Sequence, residues 1–379
     1  MRLYGRWVLT LLIMLLCART SGLAQSTVNP NISVIPRFLI QTDDGQKLAQ
    51  GKREFSQPDF SFQELEIAIQ SYLNPFARAD VILTLPGPDI EANKLGIEEL
   101  YATVVRGLPL DLNVRLGKYR VDFGKLNTVH PHAWPFISQP LSQARFLGED
   151  GLNDLGISAS VLLPTGDVYT KLTVDLLRGN AMRGTIGLTD TTGEKPFYAN
   201  SARLTSFFSL TDESDLELGL SGLTGIHDPY YRDRFWYLNF DFKYKYRPSM
   251  YTSLVVQGEY LYNTRAAAQS PAGRLFINAN GDPTSQTITS SGLFIFADYQ
   301  FFKLWSIGAR YDWSQSPYSR SDKATGAAVF AGYYPVEETL GLRLEYQFVK
   351  SETPIQSKDV NTIALQVLFS LGPHKAHPF

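Results

Sequence analysis

The sequence predicts an all-β protein, an up-and-down antiparallel transmembrane β-barrel of about 16 strands. Apolar and polar residues alternate with a period of two along most of the chain, and short and long connections alternate between these segments. Charged residues are only 19% and aromatic residues 13% of the 379 residues. The mean hydropathy of −0.13 excludes a bundle of membrane-spanning helices, which needs several long apolar runs.

Residues 1–24 are predicted to be a cleaved signal peptide. Two arginines precede the apolar run 8–16, and small residues follow near a cleavage position after residue 24. The run is too short to span a membrane. Cleavage removes the only cysteine, Cys17, so the barrel domain, 25–379, has no thiol chemistry. The formal net charge of −2 argues against nucleic acid as a partner. Three arginines leave with the signal peptide, so the net charge becomes −5.

The clearest strand pattern surrounds Phe240. Apolar residues at even positions from 238 to 246 alternate with polar or charged residues at odd positions, so opposite strand faces differ in polarity. This pattern is typical of a strand with lipid on one side and water on the other. Comparable segments are centred near Phe38, Ile67, Val81, Ala102, Val114, Ala159, Thr173, Leu204, Leu218, Phe240, Val255, Ile295, Ile307, Val329, Leu344 and Leu365.

The connections between these segments alternate in length. Tight turns follow the even-numbered strands, at 73–75, 106–109, 163–167, 211–214, 247–249, 302–303 and 334–336. Connections after odd-numbered strands are mostly longer, at 41–57, 86–96, 120–151, 178–197, 263–290 and 314–323. A transmembrane barrel has this asymmetry because short turns face the periplasm and long loops face outside. A soluble β-sandwich, the alternative fold, has no reason to segregate loop lengths.

The connection 120–151 is the third outward-facing loop. Its proline and aromatic content indicates a stiff, packed loop, which we expect to fold into the barrel and narrow it. Deleting 130–140 should then raise conductance. The constriction candidates are His130, His132, Trp134, Phe136, Arg145, Glu149 and Asp150.

Sixteen strands leave room for an aqueous channel, and its selectivity depends on lumen-facing charges. Strand parity predicts pore-lining cations at Arg115, Lys171, Arg203, Lys243, Lys245, Arg310 and Arg343. It predicts pore-lining anions that include Glu99, Asp241 and Glu345. Mixed signs predict weak ion selectivity unless one sign clusters at the constriction.

Two alternative kinds of site carry less weight. His130 and His132, or the pair 374 and 377, could bind a divalent metal, but zinc usually takes three or four ligands, so packed or solvated loop histidines are the favoured interpretation. Glu149 and Asp150 are better interpreted as acidic residues at the base of a loop than as a catalytic pair. The sequence also contains no Gly-x-Ser-x-Gly element. We therefore expect neither enzymatic activity nor a cofactor.

Three segments carry a resemblance to a known family: 123–136, with its His-Pro-His-Ala-Trp-Pro-Phe run, 148–156, and the C-terminal 371–379. Together they resemble an uncharacterised family of porin-like outer-membrane proteins, distantly similar to phosphate-selective porins and sometimes labelled zinc-regulated. The chain departs from a usual barrel ending, because Pro378 and its neighbours break the alternation before Phe379. We expect the last strand to end near Phe369 or Leu371.

The resemblance implies a barrel in the outer membrane of a Gram-negative bacterium. With the predicted pore, it indicates a porin-like channel for passive diffusion of small hydrophilic solutes or ions. A channel specific for metal ions or phosphate and a non-conducting structural barrel are the alternatives. The expected partners are outer-membrane lipid and lipopolysaccharide, the barrel-assembly machinery during insertion, and a possible homotrimer.

Overall fold

The computed structural model describes residues 30–45, 54–87, 95–179, 181, 199–228, 233–267, 276–282, 284–336 and 339–372. Within them the chain forms sixteen antiparallel strands that close into one barrel. The strands are β1 (Asn31–Asp43), β2 (Asp59–Asn74), β3 (Ala77–Pro86), β4 (Gly96–Val104), β5 (Asn113–Arg120), β6 (Asn153–Leu163), β7 (Tyr169–Leu177), β8 (Ala199–Thr211), β9 (Ser214–Asp228), β10 (Asp233–Ser249), β11 (Thr252–Ala267), β12 (Gln286–Phe302), β13 (Trp305–Ser316), β14 (Ser319–Val336), β15 (Leu340–Glu352) and β16 (Ser357–Phe369).

The predicted fold class is confirmed, and every predicted strand centre lies within its strand. The last strand ends at Phe369, and Leu371 adds an isolated bridge to Val34. The predicted signal peptide, 1–24, and the tail 373–379 lie outside the described residues.

Helical structure in the described ranges is short. There are three 3₁₀ turns, Pro109–Asp111, Leu126–Thr128 and Pro131–Ala133, and one α-helix, α1 (Leu141–Leu147). No helix among the described residues is both long and apolar enough to cross a membrane.

The barrel closes through β1, which pairs with β2 on one side and β16 on the other. Ile40, for example, lies opposite Phe60 of β2 and Leu365 of β16. Each strand therefore has two neighbours, and the sheet has no free edge. A bilayer requires this closure because its hydrocarbon core offers no water to satisfy unpaired backbone groups.

The barrel wall has an apolar outer face and a largely polar inner face. Phe240 of β10 is 49% exposed, and its cross-strand neighbours Leu220 and Tyr260 are also exposed. Asp241, the next residue along β10, is 1% exposed because it points into the lumen. Side chains alternate in this way because the pleat repeats every two residues. The outer surface is that of a barrel solvated by lipid.

One predicted connection is wrong. Sequence reasoning placed a long connection at 314–323, but β13 and β14 stay paired as far as Ser316 and Ser319. Only Pro317 and Tyr318 join the two strands. Polar residues occupy both faces of this end of the hairpin, so the alternation in polarity stops before the strand pairing does.

Candidate pore and inner segment

Residues 121–152, which we call the inner segment, connect β5 to β6. Prolines shape it, since the residue before a proline avoids the helical conformation. His130 and Trp134 each precede a proline, and both are extended, with ψ of 146° and 147°. Helix α1 follows Pro140 and ends at Gly148, whose φ of +86° favours glycine. The sequence thus produces a compact chain of short turns.

Aromatic packing holds the inner segment against one side of the lumen. The ring of Phe136 is fully buried and lies edge-on to Phe296 of β12, at 5.1 Å, and to Phe330 of β14, at 5.8 Å between ring centroids. Trp134 packs beside Phe136. Edge-to-face contacts of this kind add to the stabilisation from apolar burial. Part of the lumen is therefore an apolar core.

A second apolar cluster fixes the two ends of the inner segment. Phe123 and Phe146 are fully buried in a cluster with Tyr237 of β10 and Leu261 of β11. Phe146 lies edge-on to Tyr237 at 5.8 Å. Helix α1 also contacts β12 and β13. The inner segment consequently packs against lumen-facing side chains of several neighbouring strands.

Carboxylates of the barrel wall accept hydrogen bonds from backbone N–H groups of the inner segment. The acceptors are Glu259 of β11, Asp312 of β13 and Glu345 of β15. Their donors are the N–H groups of Leu126 at 2.6 Å, Leu141 at 3.2 Å and Ile137 at 2.8 Å, respectively. Irregular backbone needs such partners when it is buried. Glu345, predicted to line the pore, instead binds the segment.

Two predicted pore-lining arginines bind the inner segment through its carbonyl groups. Arg310 donates to the Ser138 carbonyl at 2.6 Å, and Arg343 donates to the His132 carbonyl at 2.7 Å. Arg145 of α1 forms an ion pair with Asp322 of β14 at 3.1 Å. These cations hold the segment in place, and their charge is largely used in these contacts.

A cavity of about 430 Å³ lies on the other side of the inner segment, against β1–β5 and β7–β9. The acidic, basic and histidine residues that line it are Glu66, Glu99, Arg115, Arg120, Asp122, Lys125, His130, His132, Lys171, Arg203 and Glu217. Charges of both signs line this one cavity, so it is the polar part of a lumen whose remainder contains packed aromatic side chains.

Ion pairs link the inner segment to the cationic wall of this cavity. The Asp122 carboxylate accepts from Lys171 at 2.9 Å and contacts Arg203 at 3.1 Å, and Arg203 also binds Asp241 at 2.6 and 2.9 Å. Lys125 pairs with Glu217 across the lumen at 2.6 Å. Burial alone would raise the pKa of Asp122, but Lys171 and Arg203 hold it below its ordinary value.

Arg115 differs from these paired cations. Its guanidinium lies over the rings of Tyr101 and Tyr119, 4.7 and 5.2 Å from their centroids. Within the part of the chain that the structure describes, Arg115 forms no ion pair with a carboxylate. Aromatic faces attract a cation without neutralising it. Arg115 is therefore a positive charge open to the cavity.

His130 and His132 meet a group of wall carboxylates. His130 Nε2 lies 2.7 Å from Glu99 Oε1, and His132 Nδ1 lies 3.0 Å from Glu66 Oε2. His130 Nδ1 is 3.3 Å from Glu66 Oε2 and 3.6 Å from Glu98 Oε1. Burial alone would lower the pKa of His130, but the carboxylates raise it to about 10. Burial lowers the pKa of His132, with Glu66 opposing.

Sequence reasoning missed Glu98 because a β-bulge hides it. The register between β3 and β4 shifts at this point, so Ile82 faces Glu99 and Leu83 faces Ile97. The extra residue of a bulge lets two consecutive side chains reach the same side of a strand. Glu98 consequently pairs with Arg120 inside the barrel, at 2.5 and 2.9 Å.

The remaining predicted residues have different positions. Glu149 and Asp150 are exposed, although Glu149 also borders a smaller cavity of about 310 Å³. Lys243 and Lys245 lie on the inward face of β10 and do not line the 430 Å³ cavity. The structure therefore brings His130 and His132 to the cavity and uses Trp134, Phe136 and Arg145 as packing or pairing contacts.

Comparison with known sequences identifies one relative of unstated activity. An uncharacterised protein of Aquifex aeolicus is 28% identical over 349 residues, which cover 84% of this chain and 70% of that protein. No protein-family model matches the chain.

Several solved structures share the fold at low sequence identity. The outer membrane channel DcaP of Acinetobacter baumannii has a TM-score of 0.60 at 14% identity, over 92% of this chain and 99% of that one. An anion-selective porin of Comamonas acidovorans has a TM-score of 0.57 at 11% identity, over 90% and 99%. The trimer form of Vibrio cholerae OmpT has 0.54 at 7% identity, over 90% and 99%.

The closed barrel, its apolar outer face and its charged interior define an integral outer-membrane β-barrel of the porin fold. The structures that it resembles are named as channels and porins rather than as enzymes.

Proposed function

We propose that the protein is an outer-membrane channel for passive diffusion of small hydrophilic solutes or ions. The observation that carries this proposal is the charged cavity of about 430 Å³ beside the inner segment, within a closed barrel. Charged side chains facing water inside a lipid-solvated barrel are typical of an aqueous passage. Passive diffusion needs no catalytic residue and no cofactor.

The inner segment acts as the constriction in this proposal. Its aromatic side chains fill the lumen beside β12 and β14, which leaves the passage along β1–β5 and β7–β9. His130 and His132 are the segment side chains that border this passage among the predicted constriction residues. Flow is then limited by the gap between the segment and the opposite wall.

Selectivity in this channel is weak. Five lysine or arginine residues and four carboxylates line the cavity, and most of them are paired with one another. Paired charges present little net field to a passing ion. Arg115, which lies over tyrosine rings, gives the passage a slight preference for anions.

Planar-bilayer recording of the purified protein tests the proposal. We expect discrete conductance steps and, in asymmetric potassium chloride, a small reversal potential on the anion-selective side. A strong preference for phosphate or for divalent cations would support the substrate-specific alternative. A folded barrel without conductance would contradict the proposal and support a structural role.

The proposed partners follow from the fold. The apolar outer face suits outer-membrane lipid and lipopolysaccharide, and insertion would use the barrel-assembly machinery. OmpT of Vibrio cholerae has a trimer form, which supports a homotrimer here, and native mass spectrometry in detergent tests it. The resemblance of 123–136 to uncharacterised porin-like proteins supports the same function.

A further inference from the structure

Glu66, His130 and His132 bring three metal-ligating side chains together inside the barrel. One ligand atom from each lies within 4.8 Å of the others. Glu66 projects from β2, and the two histidines belong to the inner segment. Two ligands of a tetrahedral zinc ion, each about 2.0–2.1 Å from the metal, lie about 3.4 Å apart. The distances from Glu66 Oε2 to His130 Nδ1, 3.3 Å, and to His132 Nδ1, 3.0 Å, are close to that spacing.

Hydrogen bonding orients His130 for such a role. A carboxylate only accepts hydrogen bonds, so His130 Nε2 donates to Glu99 at 2.7 Å. The other ring nitrogen, Nδ1, is buried, makes no hydrogen bond and faces Glu66 and Glu98. Metal-bound histidines typically donate their second N–H to a carboxylate in this way. The contact with Glu99 therefore orients the ring so that Nδ1 faces Glu66 and Glu98, and a metal ion would take the place of the proton on Nδ1.

Glu98 supplies a second buried atom without a partner. Its Oε1 is occupied by Arg120, whereas its Oε2 is buried and makes no hydrogen bond among the described residues. The bulge in β4 is what turns this carboxylate toward His130. A cation held by Glu66 and the two histidines would give both orphaned atoms, His130 Nδ1 and Glu98 Oε2, an electrostatic partner.

The charge balance around these residues also favours a divalent cation. Arg37 pairs with Glu64, and Arg120 pairs with Glu98. Among the described residues, the ion-pairing partners of Glu66 and Glu99 are imidazoles alone. Both carboxylates are buried, and burying a carboxylate is costly unless a positive charge lies beside it. A doubly charged cation compensates both.

We propose that Glu66, His130 and His132 bind a divalent transition-metal ion of the zinc class. Glu98 completes the coordination and Glu99 orients His130. Imidazole nitrogens with one or two carboxylates suit zinc, whereas magnesium and calcium prefer oxygen alone. All three ligands border the cavity, so the ion can arrive from pore water. The bound ion would join the inner segment to β2. Binding of the ion does not depend on the proposed channel function.

Zinc-binding measurements on EDTA-treated, untagged protein test the site. Because the C-terminal tail holds two further histidines, the background is full-length protein with His374→Ala and His377→Ala. We expect calorimetry and elemental analysis of this background to find about one zinc ion per chain at micromolar affinity or tighter. The substitutions Glu66→Gln and His132→Ala should each weaken binding by at least about tenfold.

Asp322→Asn is the matched control, since this carboxylate contacts the inner segment elsewhere, through Arg145. This variant should bind zinc with the same affinity and stoichiometry as the background protein. The heat-dependent gel mobility of a folded barrel is checked for each variant, and His132→Gln replaces any variant that does not fold. Absence of micromolar zinc binding, magnesium binding of equal strength, or unchanged affinity in folded Glu66 and His132 variants would each overturn the proposal.

Discussion

Arg310 and Phe136 face each other inside the barrel, with the guanidinium carbon of Arg310 4.4 Å from the centroid of the Phe136 ring. The same guanidinium donates to the carbonyl and hydroxyl oxygens of Ser138, at 2.6 and 2.8 Å, and to Asp312 at 2.8 Å. A residue whose strand position predicts a pore-lining charge thus anchors the inner segment. In the proposed channel, the width of the passage depends on how firmly such contacts hold the inner segment.

We expect Arg310→Ala to loosen the inner segment. The substitution removes charge-assisted hydrogen bonds, each contributing about 1.5–3 kcal/mol, and the contact with Phe136. Single-channel recordings should show larger and noisier conductance steps. The control is Arg78→Ala, whose guanidinium pairs with Asp80 instead. Equal conductance in wild type and Arg310→Ala would show that this anchor does not hold the segment.

Phe136→Ala should destabilise the folded protein by about 3–5 kcal/mol, since the ring is fully buried between Phe296 and Phe330. Urea unfolding in detergent or lipid measures the loss. Phe240→Ala, on the lipid-facing side of β10, is the control and should have a smaller effect because its ring is half exposed. Equal losses would mean that Phe136 does not lie in a packed core.

Arg203→Gln should cost about 3–5 kcal/mol, because it leaves the buried carboxylate of Asp241 without its bidentate partner. Adding Asp241→Asn should recover part of this loss. A double-mutant cycle on the free energy of unfolding measures the coupling. Additive effects of the two substitutions would contradict the ion pair.

Asp122 should stabilise the fold in a pH-dependent way. Its pKa is held below the ordinary value of 3.8, so its contribution is fully present above pH 3.8 and is lost as pH falls through the lower, folded-state pKa. Unfolding measured between pH 7 and pH 3 should therefore show a steeper loss below pH 3.8 for wild type than for Asp122→Asn. Parallel curves would contradict the pairing with Lys171 and Arg203.

Arg115→Gln should shift the reversal potential toward cation preference. The side chain lies over Tyr101 and Tyr119 as a cavity cation, so its removal lowers the positive charge in the passage. Lys323→Gln is the control, because this lysine is exposed and pairs with Glu352. A shift of equal size in both variants would show that Arg115 does not act within the passage.

The strands were predictable because successive side chains of a membrane strand face lipid and lumen alternately, which makes apolar and polar residues alternate in the sequence. Phe240 faces lipid and Asp241 faces the lumen, and this difference shows in two neighbouring residues of the sequence. The hairpin at Pro317 and Tyr318 was mispredicted because both of its faces are polar. The barrel strands can therefore be predicted from the sequence wherever contact with lipid makes apolar and polar residues alternate.

The interior was less predictable because its contacts join distant parts of the chain. The Leu126 N–H meets Glu259, and Ile137 meets Glu345, across more than a hundred residues in each pair. Strand parity placed these carboxylates inside but could not show what they bind. The bulge at Glu98 changes the strand parity itself, so alternation predicted Glu99 inside the barrel but missed Glu98.

The measurement that tests the central claim most directly is single-channel conductance after deletion of 130–140. This deletion removes His130, Trp134 and Phe136, and with them the contacts to Glu99, Phe296 and Phe330. If the inner segment narrows the pore, a folded deletion variant should conduct more per channel than wild type. Unchanged conductance in a correctly folded barrel would contradict the account.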